Sequence, residues 1–263
     1  MFNIKESKVR VNDMDFDYIS FGKVKKNLVI IQGLNTNGIK GSSLMLSLMY
    51  RKFTKDYKVY LFERRMNIDS NITVKDFADD YALIMQELGI ENADIFGVSQ
   101  GGMIAQHLAV LYPEVIDKLV LVVTVPYCNE NTKQLLNNWI QYVENDDYKQ
   151  LMDENIKMMY TDKYYQANKW MIPIVAKFSK PKSPQRFITM AKACIEHHCD
   201  PNLIKVPTLI IAGRKDDTLG VEGSIELNHH ITGSELKIYE DYGHAVYDEA
   251  KDFDQTIIDY LTI

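Results

Sequence analysis

Six residues, Gly97-Val98-Ser99-Gln100-Gly101-Gly102, close a short apolar run and open a helical pattern. A serine set between glycines at a strand-to-helix junction sits on a strained turn that exposes its hydroxyl. Bulky side chains two positions before or after it would collide with that turn, and Gly97 and Gly101 remove them. The helix opening at Gly101-Gly102 aims backbone N–H groups and a positive dipole end at the same point. A serine hydroxyl is a poor nucleophile unless a base takes its proton. Two later segments carry the partners for that chemistry. Thr208–Ala212 runs into Gly213-Arg214-Lys215-Asp216-Asp217, and Glu235–Tyr239 runs into Asp241-Tyr242-Gly243-His244. The expected set is therefore Ser99, Asp216 and His244, in that chain order. Asp217 adjoins Asp216 and competes for the acid position.

The elements that must hold these residues are legible from periodicity. Asn27–Gln32, Lys58–Phe62, Ala93–Val98, Lys118–Thr124 and Thr208–Ala212 are nearly continuous apolar runs. Such runs are strands buried on both faces, as in a parallel sheet covered by helices. Residues 8–21 alternate apolar and polar around Asn12-Asp13 and predict a hairpin. Amphipathic patterns over Ser43–Lys52, Val74–Leu88, Met103–Tyr112, Val221–His229 and Asp248–Leu261 predict the covering helices, with Thr73 as a cap. Between Thr124 and Pro207 no buried-strand run occurs. Helical patterns near Thr132–Val143, Tyr148–Met159, Tyr164–Phe178 and Pro184–Cys199 fill that stretch, limited by Pro173, Pro181 and Pro184. The predicted fold is α/β, a doubly wound and mostly parallel sheet with an inserted helical cap. Residues 1–125 and 206–263 would form the core and 126–205 the cap.

The segments IIQGLNTN, IFGVSQGG, IIAGRKDD and YGHAVYDE together resemble the α/β-hydrolase fold superfamily, in its serine-nucleophile branch, over almost the whole chain. The resemblance implies Ser99 as nucleophile, His244 as general base and then acid, and Asp216 as the group that orients His244. It also implies an oxyanion hole made by the backbone N–H groups of Leu34 and Gln100, and no metal or organic cofactor. Two places depart from the family pattern. Gln32-Gly33 stands where many members have His-Gly, and Glu63-Arg64-Arg65-Met66-Asn67 stands where many have Asp-x-Arg-Gly-x-Gly. The implied activity is carboxylesterase-like cleavage of a small-molecule ester or related acyl compound. Thioester, lactone, amide or carbon–carbon bond hydrolysis and acyl transfer stay open, as does a ligand-binding or receptor-like protein that reuses the fold. A serine nucleophile disfavours the haloalkane dehalogenase and epoxide hydrolase branches, which use an aspartate.

Trp139, Trp170 and Met171 in the insert are candidates for the substrate pocket. Cys194-Ile-Glu-His197-His198-Cys199 has soft ligand types, yet no second cluster accompanies it, so helix packing is expected and no metal. The chain has 263 residues and a net charge of −6, which disfavours nucleic acid and anionic membranes as partners. Three cysteines are too few for a disulfide scaffold. The first residues lack an apolar signal core and no run is long enough to span a bilayer, so a cytoplasmic protein without membrane insertion is expected. Oligomeric state is not legible.

Overall fold

The computed structural model describes residues 3–263. Its centre is an eight-stranded sheet: β1 (Lys5–Val11), β2 (Met14–Phe21), β3 (Asn27–Ile31), β4 (Lys58–Phe62), β5 (Ala93–Val98), β6 (Ile116–Val122), β7 (Thr208–Gly213) and β8 (Glu235–Tyr239). The spatial order is β1-β2-β4-β3-β5-β6-β7-β8. The predicted hairpin is present: β1 pairs antiparallel with β2, which pairs antiparallel with β4. Every pairing from β4 to β8 is parallel.

The continuous apolar runs lie at the centre because both faces of their strands are covered. Along β3, Val29 and Ile31 enter one apolar cluster while Leu28 and Ile30 enter the other. Helices α1 (Ser43–Met49), α2 (Val74–Glu87) and α3 (Gln100–Leu111) lie within the first half of the core. The insert between β6 and β7 carries α4 (Glu130–Glu144), α5 (Tyr148–Met159), α6 (Asp162–Asn168), α7 (Ile172–Phe178) and α8 (Pro184–Ile195). Then come α9 (Val221–His230), α10 (Val246–Glu249) and α11 (Phe253–Thr262). Buried residues of α2, α3 and α9 join one cluster, and those of α1 and α11 join the other, so the sheet is wound on both sides. The first cluster runs on into the insert through Leu135, Trp139 and Leu151, so the insert shares the core's apolar interior.

Two predicted helices are each divided. Tyr164–Phe178 breaks into α6, a 3-10 turn over Lys169–Met171, and α7, with Pro173 in the first turn of α7, where a missing N–H costs nothing. Asp248–Leu261 breaks at extended Ala250 into α10 and α11. The break lets Asp248 and Glu249 bond to the insert while Phe253 enters the core beneath. Among the described residues, no helix is long and apolar enough to cross a membrane.

Candidate active site

Ser99 stands between β5 and α3 with φ 54° and ψ −120°, a backbone conformation that non-glycine residues rarely adopt. Its neighbours leave no room for relaxation. A Cβ on Gly97 would lie 2.6 Å from the Gly101 carbonyl oxygen, and one on Gly101 would overlap the Ile31 carbonyl. The turn is held from below, where Ser99 N–H donates to the Val122 carbonyl at 2.9 Å and Thr124 Oγ1 donates to the Ser99 carbonyl at 2.9 Å. Thr124 reaches that carbonyl because Val123, with φ 43°, turns the chain sharply at the end of β6. A β-branched residue at positive φ is a second strained position under the serine, and no sequence motif announces it.

His244 follows β8 and is almost wholly buried. Its Nδ1 lies 2.8 Å from Asp216 Oδ2. Asp216 Oδ1 accepts the backbone N–H groups of Thr218 at 2.8 Å and Leu219 at 3.0 Å. Burial opposes the charge on Asp216, but His244 beside it and these two N–H donors outweigh burial and hold its carboxyl below the usual carboxylate range. Asp217 is exposed and lines a surface groove instead. The histidine loop is tied to the insert: Ala245 N–H donates to the Met159 carbonyl at 2.8 Å, and Thr161 Oγ1 donates to Glu249 at 2.7 Å.

Ser99 and His244 line one cavity of about 320 Å³, together with Leu34 and Gln100. No hydrogen bond joins Ser99 Oγ to His244 among the described residues; such bonds often tighten only around substrate. Gln100 is the first residue of α3, so its N–H is one of the donors a helix start leaves without a helical partner. Its buried side chain reaches the insert, where Nε2 donates to the Met190 carbonyl at 3.0 Å and lies 2.9 Å from Cys194 Sγ.

The loop that carries Leu34 has a support that the two departures from the family pattern conceal. Arg64 is buried, and its guanidinium donates to the Gln32 carbonyl at 2.9 Å and the Gly33 carbonyl at 2.8 Å. With the Asn35 amide turned to satisfy its neighbours, Asn35 Oδ1 accepts from Arg64 as well, at 3.1 Å. Glu63 accepts Ile39 N–H at 2.6 Å and pairs with Arg186 of α8 at 2.7 Å, all of it buried. Arg65, the third residue of that stretch, turns away to pair with Asp80. Glu63 and Arg186 are 123 residues apart, so no local pattern could join them.

The insert supplies one wall of the cavity through Leu136, Trp139, Asn155, Met159 and Cys194. Of the three insert residues singled out in the sequence, Trp139 lines this cavity and Trp170 and Met171 do not. Both sit on the 3-10 turn ahead of α7 and outside the cavity, with Trp170 68% exposed. Their apolar composition singles them out in the sequence, and composition carries no direction. Burial pushes the thiols of Cys128, Cys194 and Cys199 up to about 12, so they stay protonated and weakly nucleophilic. His197, predicted to pack, is buried against the His107 ring, and burial first, then His107, brings its pKa down to about 3. Among the described residues, no group of three or more His, Cys, Asp or Glu side chains is placed to hold a metal ion.

Comparison with known proteins agrees with this geometry at the level of the fold. A family model described as "alpha/beta hydrolase fold" matches residues 26–251. A 2-hydroxy-6-oxononadienedioate/2-hydroxy-6-oxononatrienedioate hydrolase of Escherichia coli is 27% identical over 201 residues, 68% of this chain and 65% of that protein. The chain thus matches just under two thirds of that relative's length. The enol-lactonase from Burkholderia xenovorans superimposes with a TM-score of 0.85 at 18% identity, over 98% of this chain and 100% of the other. An esterase from Exiguobacterium antarcticum superimposes with a TM-score of 0.79 at 18% identity, over the same shares of the two chains.

Proposed function

The chain belongs to the alpha/beta hydrolase fold family, and on that premise we propose that it is a serine hydrolase that cleaves an ester or related acyl compound. The observation that carries the reading is the strained Ser99 sharing one cavity with a His244 whose other ring nitrogen is bonded to buried Asp216.

The chemistry follows from those positions. Ser99 Oγ attacks the substrate carbonyl carbon, and its proton passes to Nε2 of neutral His244. The Nδ1–H of His244 donates to Asp216, which fixes the tautomer and steadies the positive charge that forms on the ring. The carbonyl oxygen becomes an oxyanion between the N–H groups of Leu34 and Gln100, and the dipole of α3 points the same way. Collapse of the intermediate breaks the bond to the leaving group, which takes the proton from His244 and departs as the alcohol. Water then gives a proton to His244 and attacks the acyl-Ser99 carbonyl. The second collapse releases the acid and returns the proton to Ser99 Oγ. Ester and water are consumed, acid and alcohol are formed, and the groups of the site return to their starting state.

The E. coli relative supports a second reading. Its name makes it a hydrolase of a dicarboxylate, and the same three residues would serve such a reaction. Turnover of p-nitrophenyl esters graded by acyl length tests the leading reading. The parent turns over short and medium esters with rapid-quench accumulation of an acyl adduct, and Ser99→Ala loses about 10⁴–10⁶ in turnover while staying folded. Equal rates in the two proteins overturn it.

A further inference from the structure

We propose that the cavity accepts acyl compounds whose buried part bears no carboxylate, and that Asp248 at its mouth enforces this. The proposal rests on the serine-hydrolase reading above and names its substrate class.

Apart from His244, the acidic residues of the wall are Asp248 and Asp254, and among the described residues no lysine or arginine lines the cavity. Asp254 is matched by Lys52 at 3.0 Å. Asp248 forms no ion pair among the described residues; its Oδ2 accepts the Tyr160 hydroxyl at 2.7 Å. It is an exposed residue that still lines the cavity, which puts its charge where the cavity opens. The buried guanidiniums of the oxyanion-side network offer nothing to a ligand. Arg64 donates to the Gln32 and Gly33 carbonyls, and Arg186 is committed to Glu63 and to the Arg64 carbonyl.

A carboxylate carried into this space gives up its water and meets no positive partner, which is among the costliest transfers a protein can impose. On the way in it also faces the charge of Asp248. An uncharged acyl chain loses nothing comparable, and it gains by covering Met103, Leu136, Trp139 and Leu219. Hydroxyl or carbonyl substituents have a neutral partner in the Asn155 amide. The substrate class is therefore an ester or lactone with an uncharged acyl part, and dicarboxylates of the kind in the E. coli relative's name are excluded.

The test uses substrates matched in length and different in charge: p-nitrophenyl butyrate and p-nitrophenyl hemisuccinate. The expected kcat/KM ratio favours the butyrate by about 100-fold or more. Asp248→Asn, whose amide oxygen still accepts from Tyr160, narrows that ratio by roughly 3- to 10-fold, and Asp248→Glu keeps it. A parallel arm needs no turnover. Ser99 is labelled by an alkyl fluorophosphonate and by the same reagent ending in a carboxylate, and the neutral reagent reacts faster by a similar factor. Comparable rates for neutral and anionic partners overturn the charge rule and leave Ser99 as the nucleophile. A ratio unchanged in Asp248→Asn overturns the part given to Asp248. Failure of both reagents to label Ser99 overturns the hydrolase reading and this inference with it.

Discussion

Asp216 and Asp217 are neighbours in sequence and opposite in fate. One is buried against His244 with two backbone N–H groups on its second oxygen, and the other faces solvent. Asp216→Asn should cost about 10⁴ in turnover because an amide favours the wrong histidine tautomer. Asp217→Asn should stay within a few-fold, and equal losses would contradict the assignment of the acid. Asp216 also makes a pH prediction. Its carboxyl is held below the unfolded value, so its charge contributes stability above the ordinary carboxylate range, and the contribution is lost as pH falls through the lowered pKa. Urea unfolding of parent and Asp216→Asn across that range should show a gap that is widest toward neutrality and shrinks in acid; a constant gap contradicts the ionised pair. The contacts of Arg64 were not legible in the sequence, because its partners are backbone carbonyls that any sequence would supply. Arg64→Lys replaces a planar fork with a point charge and should slacken the Leu34 loop. We expect kcat to fall by roughly 10²–10³, the scale of one lost oxyanion donor, with little change in KM. An unaltered kcat in a folded Arg64→Lys protein would mean the guanidinium has no part in positioning.

The elements were readable wherever one period ran unbroken. The strands from β3 to β7 and the turn at Ser99 announce themselves by apolar runs and by glycines that close packing requires. Gly101→Ala tests the latter: its Cβ would overlap the Ile31 carbonyl, so we expect a loss of about 1–3 kcal/mol with reduced Ser99 reactivity, read by thermal unfolding and labelling. Legibility failed where an element's direction depended on a break. A 3-10 turn re-aims Trp170 and Met171 to the outside, and extended Ala250 splits the last helix. Periodicity assigns a face only while the helix continues. Trp139 on α4 and Trp170 therefore separate in a simple comparison. Trp139→Phe should shift relative kcat/KM between short and medium acyl esters by up to about 10-fold, within what a changed apolar pocket supplies. Trp170→Ala, on the exposed turn, should leave that profile unchanged. The reverse pattern would mean that α4 does not form the acyl wall.

At the scale of the whole molecule, the insert is tied to both halves of the site. Arg186 on α8 reaches Glu63, whose neighbour Arg64 grips the Leu34 loop, and the His244 loop is held by Met159 at the end of α5 and Thr161 just ahead of α6. Neither tie is visible in the sequence, since each joins residues far apart in the chain that only the fold brings together. The fold class itself was visible, because the order of strands, the helical interruption and the serine, acid and histidine after their strands agree with one architecture. What that architecture is for rests on Ser99. The most direct measurement is reaction with a neutral alkyl fluorophosphonate, followed by peptide mass spectrometry of the parent, Ser99→Ala and His244→Gln proteins. The account predicts one adduct, on the peptide holding Ser99, absent in Ser99→Ala and formed far more slowly in His244→Gln. An adduct on another residue, or labelling that does not depend on His244, would contradict it.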